Sequence, residues 1–144
     1  MIYIGADHGG FKLKEMIKSW LVEMEIDYQD VGAFEFVEND DFVDFAKNVI
    51  DNVKNSEDRG ILICRSGIGV DIVANRSGHI RCGLSINVDQ VEAGRRDDDI
   101  NVLALAADFC DEGRVKDILI AFIGTKFSNE ERYVKRLNKI KELQ

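Results

Sequence analysis

Short apolar segments alternate five times with longer segments of helical periodicity along this chain. The predicted strands are residues 1–6, 26–31, 61–63, 79–86 and 101–107, and the predicted helices are 11–24, 42–54, 70–76, 88–96 and 111–122. Strands that alternate with helices form a parallel sheet with right-handed crossovers and helices on both faces. The alternation therefore predicts a Rossmann-like, three-layer α/β/α fold around a five-stranded parallel sheet.

Length and composition limit the number of domains and the classes of partner. A chain of 144 residues, 45% of them hydrophobic, is long enough for one core and too short for two ordinary domains, so residues 1–144 are expected to form a single domain. The 27 acidic and 19 basic side chains give a net charge of −8, which argues against nucleic acid and anionic membranes as partners. No apolar stretch approaches the 18 residues of a membrane span.

Cysteine and histidine are scarce in this sequence. Three cysteines at unpatterned spacing and two histidines favour a reducing, cytoplasmic setting and argue against both a disulfide framework and a metal site. Gly67 and Gly69 lack the third glycine of a dinucleotide fingerprint, and no phosphate-binding P-loop motif occurs. We therefore expect no metal and no cofactor.

The stretch 60–75 contains the strongest candidate for chemistry, because a predicted strand ends on Cys64 and a glycine-containing loop then opens a helix. A free thiol of pKa about 8.5 is only about 3% thiolate at pH 7, and backbone N–H groups beside it would favour the thiolate. Such a thiolate can remove a proton from carbon while the same N–H groups hold the enediolate oxygen that develops. The alternative is that Cys64 is a small buried hydrophobic residue.

A second strand end carries Asp7 and His8 just before the pair Gly9-Gly10. Ligands bind beyond the carboxyl ends of the strands in parallel sheets, so these side chains face one cleft with Cys64 if the first and third strands are neighbours. The alternatives are that Asp7 caps the following helix and that His8 is a loop residue without a special role.

Residues 128–144 follow the five strand–helix units and are expected to form an extra C-terminal helix, capped by Ser128 or Asn129. Arg132 and Arg136 are four residues apart, so they project from one side of it, next to an apolar stripe that should dock on another surface. Two guanidinium groups on a docked helix suit a phosphate dianion. The alternative is a solvated basic face paired with acidic neighbours.

Taken together, these motifs resemble the ribose-5-phosphate isomerase B family, which also contains galactose-6-phosphate and allose-6-phosphate isomerases. The matching order is Gly-x-Asp-His-x-Gly-Phe-x-Leu-Lys, Gly-Ile-Leu-Ile-Cys-x-Ser-Gly-x-Gly, Ala-Asn, Asn-Val-Leu-Ala and a terminal Arg-x-x-x-Arg. The resemblance spans essentially the whole chain. It implies a metal-free aldose–ketose isomerase acting on sugar phosphates, in a homodimer or a dimer of dimers whose active sites are shared between two subunits.

The resemblance also implies residue roles. The base that moves a proton between C1 and C2 would be Cys64, and Val70 stands where another branch of the family carries a glutamate base. Ser66 would help to place the substrate, and Gly67 and Gly69 would form the anion hole. Asp7 would hold the sugar hydroxyls, and the phosphate would be held by His8, Arg132 and Arg136. Phe42 would line the sugar pocket, at a position where a tyrosine is common.

The sequence departs from the family at four positions of the implied site. Asp97 and Asp98 replace a common His-Asn pair whose histidine assists ring opening, and Asp108 replaces a phosphate-binding arginine. Arg65 stands where glycine is usual and would restore the lost positive charge. Either Asp97 acts as the ring-opening base, or the enzyme waits for sugar that has opened spontaneously.

These departures leave several functions open. The first is interconversion of ribose 5-phosphate and ribulose 5-phosphate through an enediolate, with Cys64 as the base. The alternatives are isomerisation of a six-carbon sugar phosphate and sugar-phosphate binding with impaired turnover. A phospho-acceptor receiver domain would need an aspartate at the end of the third strand, where Cys64 stands.

Overall fold

A computed structural model of the protein describes residues 1–143. Strands and helices alternate as the sequence predicts, and a sixth helix follows the fifth strand–helix unit. The elements are β1 (Ile2–Ala6), α1 (Phe11–Glu23), β2 (Tyr28–Asp30), α2 (Phe42–Asn52), β3 (Arg59–Cys64), α3 (Ile68–Ala74), β4 (Cys82–Leu84), α4 (Val88–Asp98), β5 (Val102–Ala106), α5 (Glu112–Gly124) and α6 (Glu131–Lys141).

All five strands are parallel, in the order β2-β1-β3-β5-β4. In the register of the sheet, Ile4 pairs with Asp30 on one side and with Ile61 on the other. From β1 the chain moves to one side to form β2 and to the other side to form β3, so the strand order reverses between β1 and β3. Such a reversal opens a crevice at the carboxyl ends of the two strands.

Helices cover both faces of the sheet, as the predicted three layers require. Ile61 and Ile63 of β3 face the side packed by α1, α4 and α5, and the alternate residues Leu62 and Cys64 face the side packed by α2 and α3. Strands that are buried on both faces read as continuous apolar runs, which explains why β3 shows no alternation in the sequence. Helix α6 packs on α4.

A buried ion pair holds the segment that follows β2 against α1. The side chain of Lys14 is fully buried, and its ammonium group donates to both carboxylate oxygens of Asp30 at 2.7 Å and to the carbonyl of Ala33. Because a buried ammonium group without partners would be very costly, these contacts fix the course of the chain as it leaves β2.

Several predicted boundaries were wrong. The edge strands β2 and β4 have three residues each and are shorter than predicted, since each pairs along only one side. Helix α3 starts at Ile68, two residues early, because Gly67 already adopts the turn that begins it. Helix α6 follows Glu130, not Ser128 or Asn129, and has no side-chain cap. Asn129 adopts a left-handed conformation (φ 55°) outside the helix.

Candidate active site

The loop after β3 places a backbone N–H group against the sulfur of Cys64. The side chain is 5% exposed, and its Sγ accepts a hydrogen bond from the N–H of Gly67 at 3.1 Å. Gly67 has φ 73°, and a Cβ there would lie 2.5 Å from Cδ1 of Leu84. Only glycine fits this position without strain, so the turn that aims the N–H at the sulfur depends on it.

Two more predicted site residues lie on the same loop or against it. The hydroxyl of Ser66 is half-buried and accepts a hydrogen bond from the N–H of Ile68 at 3.3 Å. Phe42 begins α2 and covers Gly69 so closely that a Cβ there would lie 2.9 Å from the aromatic ring. The structure therefore brings Phe42, Ser66 and both glycines to the loop that follows Cys64.

Asp7, at the end of β1, lies beside this loop. Its Oδ1 accepts a hydrogen bond from the N–H of Gly10 at 3.0 Å, so the residue supports the turn into α1 as a cap would. A Cβ on Gly9 would lie 3.3 Å from both Asp7 Oδ1 and the backbone nitrogen of Arg65, which shows that the two strand-end loops touch. Burial, the largest influence, raises the pKa of Asp7 above 3.8 despite the bond from Gly10.

His8 is held by Asp40, a residue that the sequence analysis did not single out. One oxygen, Oδ1 of Asp40, contacts both the backbone N–H of His8 at 2.8 Å and its ring Nδ1 at 2.7 Å. The feature of the sequence that could have pointed to Asp40 is its position at the end of the loop after β2. Because β2 neighbours β1, and parallel strands bring their following loops to the same edge, this loop lies near His8. Without the strand order this signal could not be used.

The atoms of Asp7, His8 and Asp40 that could bind a metal all lie within 4.8 Å of one another. A hydrogen bond already joins two of these groups, and the Asp7 carboxylate already bonds the N–H of Gly10. Hydrogen bonds therefore account for the cluster, and it carries no argument for a metal.

Arg65 and Asp108 leave the carboxyl ends of neighbouring strands, β3 and β5. Their charged groups lie 3.5 Å apart in an exposed pair, and the N–H of Asp108 donates to the carbonyl of Arg65 at 3.0 Å. An exposed pair of this kind stabilises by about 0–1 kcal/mol, so the guanidinium group can exchange this partner for another anion at little cost.

Asp97 lies where α4 and α6 pack together. Nε and a terminal nitrogen of Arg96 bind its two carboxylate oxygens at 2.8 and 3.1 Å. The guanidinium group lowers the pKa of Asp97 below 3.8, and the hydroxyl of Tyr133 adds to this. The next residue, Asp98, lines a groove of about 570 Å³ between β4 and α4.

The two arginines of α6 flank the ring of Tyr133. The guanidinium carbons of Arg132 and Arg136 lie 4.4 and 5.5 Å from the ring centroid, and Arg132 also pairs with Glu130 at 2.9 Å. Within residues 1–143, no hydrogen bond or ion pair joins this group on α4 and α6 to the group around Cys64. One copy of the chain thus presents two separate sets of site residues.

Fold and site together define a class of protein. A cysteine whose sulfur accepts a backbone N–H, at the crevice of a parallel α/β/α sheet and near a buried carboxyl group, is compatible with an enzyme that transfers protons at carbon. The family model described as Ribose/Galactose Isomerase matches residues 2–140. The chain therefore belongs to the ribose/galactose isomerase family.

Individual relatives agree with this membership. A chain from Rickettsia bellii with the provisional name sugar phosphate isomerase is 38% identical over 94% of both chains. The crystal structure of ribose-5-phosphate isomerase B from Mycoplasma genitalium with bound ribulose-5-phosphate superposes with a TM-score of 0.93 and 33% identity, over 99% of this chain and 94% of that one. The Clostridium thermocellum ribose-5-phosphate isomerase B gives a TM-score of 0.93 and 34% identity, over 99% and 95%.

These matches confirm the expected family, the α/β fold and the enzyme class, an aldose–ketose isomerase of the ribose-5-phosphate isomerase B type. The class of substrate is a sugar phosphate. Within residues 1–143, the structure also has no helix with the length and apolar character needed to cross a bilayer.

Proposed function

We propose that the protein interconverts ribose 5-phosphate and ribulose 5-phosphate, with Cys64 as the base. The observation that carries this proposal is the hydrogen bond from the N–H of Gly67 to Cys64 Sγ, beside the buried carboxyl group of Asp7. The relatives named ribose-5-phosphate isomerase B support the choice of a five-carbon sugar, and one of them was solved with ribulose-5-phosphate bound.

The chemistry follows from the groups at the loop. In the open aldose the thiolate of Cys64 removes the proton from C2, and negative charge builds on the oxygen of C1. The hydroxyl proton on the oxygen of C2 passes to the oxygen of C1, and the thiol returns its proton to C1, which gives the ketose. Backbone N–H groups of Gly67 and Gly69 hold the enediolate oxygens, and each such donor is worth about 10²–10³ in rate. Ser66 places the reacting carbons, Asp7 holds sugar hydroxyls, and Phe42 covers the sugar.

The phosphate is held by Arg132 and Arg136 of a second copy of the chain, so that the active site is shared in a homodimer or a dimer of dimers. Within one chain these arginines belong to the separate group on α4 and α6, and Asp98 approaches the partner's substrate from the same group. Ile68 and Ile72 on α3 are 54% and 53% exposed next to the Cys64 loop, and a second copy would cover them.

Arg65 contributes a further positive charge to the phosphate end, in place of the arginine that Asp108 replaces. Its exposed and weakly paired guanidinium group is free to turn toward an incoming dianion. We place the enzyme in the cytoplasm, where its three free cysteines stay reduced.

The test is an isomerase assay on a panel of five- and six-carbon aldose phosphates, with the unmodified protein, Cys64→Ser and Cys110→Ser. We expect turnover of ribose 5-phosphate that Cys64→Ser abolishes and that Cys110→Ser leaves unchanged. Preferred turnover of a six-carbon sugar phosphate would show that the protein is an isomerase of six-carbon sugars, the first alternative. Binding without turnover by the unmodified protein would show the second alternative, a sugar-phosphate binding protein.

A further inference from the structure

The two arginines that the proposed function assigns to the phosphate are long side chains on the surface of α6. The side chain of Arg132 is 63% exposed, and Arg136 is exposed as well. An unsupported arginine loses rotamer freedom when it binds an anion, and this loss weakens binding. Two arginines that bind one phosphate therefore need a group that holds both side chains before the phosphate arrives.

A carboxylate can hold an arginine, but it then competes with any other anion. Elsewhere in the chain, Asp99 binds Arg81 and Arg95 at 2.7 and 2.9 Å. Such a pair occupies N–H donors of the guanidinium group, and the negative charge of the carboxylate would oppose a phosphate beside it. An arginine that has to stay available for a phosphate needs a partner without a negative charge.

The aromatic ring of Tyr133 is such a partner for both arginines of α6. The guanidinium carbons of Arg132 and Arg136 lie over the ring, 4.4 and 5.5 Å from its centroid, which is the distance of a cation–π contact. The ring attracts a positive charge without adding a net charge, so the forked N–H donors remain suited to a phosphate. Nε of Arg132 also pairs with Glu130 at 2.9 Å, in an exposed contact that a stronger anion can replace.

The ring of Tyr133 is itself held in place. Tyr133 is 8% exposed and is the only buried residue among residues 131–141 of α6, which packs on α4. Its hydroxyl faces Asp97 on α4, whose pKa is lowered chiefly by Arg96 and further by this hydroxyl. Arg96 binds both carboxylate oxygens of Asp97, at 2.8 and 3.1 Å. Asp97 therefore supports the ring as an ionised group whose charge Arg96 balances.

We propose that Tyr133 is a positioning residue for the phosphate of the substrate, because its ring holds Arg132 and Arg136 in place without neutralising them. Tyr133 acts through these two guanidinium groups and does not touch the reacting carbons. Asp97 belongs to the same arrangement, as the support of the ring from α4. The inference rests on the proposed function, in which the two arginines bind the phosphate in the site of a second copy of the chain.

Four variants separate the ring from the rest of the helix. Tyr133→Phe keeps the ring and removes the hydroxyl, whereas Tyr133→Leu removes the ring and keeps an apolar side chain. Leu137→Ala is the matched control, because it shortens a half-buried side chain one turn further along α6 and leaves the ring in place. Arg136→Ala gives the effect of losing one phosphate contact outright.

The measurements are the Kd of inorganic phosphate, by isothermal titration calorimetry, and steady-state kinetics on ribose 5-phosphate. We expect Tyr133→Leu to raise Kd and KM about 5- to 30-fold, through the loss of two cation–π contacts, and to leave kcat within about 3-fold. Tyr133→Phe should keep Kd and KM within about 3-fold of the unmodified protein, because the ring remains. Leu137→Ala should leave both constants unchanged, even where it lowers the melting temperature. A merely structural role of Tyr133 would not separate KM from kcat in this way.

Three results would overturn the inference. An unchanged Kd in Tyr133→Leu, beside a raised Kd in Arg136→Ala, would show that the arginines need no ring. Equal losses in Tyr133→Leu and Leu137→Ala would show that only the packing of α6 matters. An unchanged Kd in Arg136→Ala would remove that arginine from the phosphate site, and the role of the ring with it. If phosphate binding depends on the ring but the unmodified protein turns over no sugar phosphate, the inference holds and the proposed function fails.

Discussion

Replacing Gly67 with alanine tests whether the loop geometry supports both the fold and the chemistry. The residue has φ 73°, and an added Cβ would lie 2.5 Å from Leu84 Cδ1 and 3.1 Å from the backbone carbon of Leu105. A left-handed conformation costs a non-glycine residue about 1–2 kcal/mol, and overpacking costs about 1–3 kcal/mol more. Gly67→Ala should therefore lower the free energy of unfolding by about 2–5 kcal/mol.

Activity should fall with stability, because any shift of the loop moves the Gly67 N–H away from Cys64 Sγ. Loss of one such donor lowers kcat by about 10²–10³. The assays are urea denaturation and turnover of ribose 5-phosphate well below the new melting temperature. Gly124→Ala is the matched control, since nothing lies within 4 Å of a Cβ at that helical position, and it should be neutral or slightly stabilising. If Gly67→Ala has the same free energy of unfolding and the same turnover of ribose 5-phosphate as Gly124→Ala, the account of the loop is wrong.

Three further predictions concern charge and assembly. Burial, the largest single influence, raises the pKa of Asp30, but hydrogen bonds from two lysine ammonium groups outweigh it and leave the pKa below 3.8. The stability that Asp30 contributes is thus present above about pH 4 and is lost as pH falls below it. Urea titrations from pH 7 to pH 3 should show a fall in the free energy of unfolding that Asp30→Asn lacks. At pH 7 that variant should be about 3–5 kcal/mol less stable than the unmodified protein. Arg65→Ala should raise KM for ribose 5-phosphate several-fold at unchanged fold, and Asp108→Asn should lower it by releasing the guanidinium group; steady-state kinetics check both, and an unchanged KM would remove Arg65 from the phosphate site. Co-refolded mixtures of Cys64→Ser and Arg136→Ala chains should recover up to about a quarter of the activity per site if sites are shared between copies, whereas mixtures as inactive as the separate variants would contradict sharing.

The order of elements was predictable because it depends on local periodicity. Residues 42–53 carry one apolar face at helical spacing, and 61–63 form a continuous apolar run, so both are recognised without tertiary information. The edge strands were predicted too long because pairing partners, not propensity, decide where β2 and β4 end. The predicted cap of α6 by Ser128 or Asn129 was wrong for a similar reason, since the left-handed conformation of Asn129 depends on the segment that connects α5 to α6.

The site was predictable where chemistry and position coincide. Cys64 and Asp7 follow directly from the rule that parallel strands deliver ligand-binding residues at their carboxyl ends. Asp40 did not follow from it, because nine residues separate it from β2. The strand order, the Lys14–Asp30 pair and the hydrogen bonds between Ala6 and the start of the loop bring that loop to His8. One partner of Asp97, the hydroxyl of Tyr133, was hidden for the same reason, since α6 packs on α4 from far along the chain, whereas Arg96 is the neighbour of Asp97 in the sequence.

Deuterium exchange at C1 of ribulose 5-phosphate is the most direct measurement of the role of Cys64. Followed by proton NMR in deuterated water, the unmodified protein should exchange one C1 hydrogen, and folded Cys64→Ser should exchange it at least 10²-fold more slowly. Exchange by Cys64→Ser at the unmodified rate would show that another group moves the proton and would contradict the account.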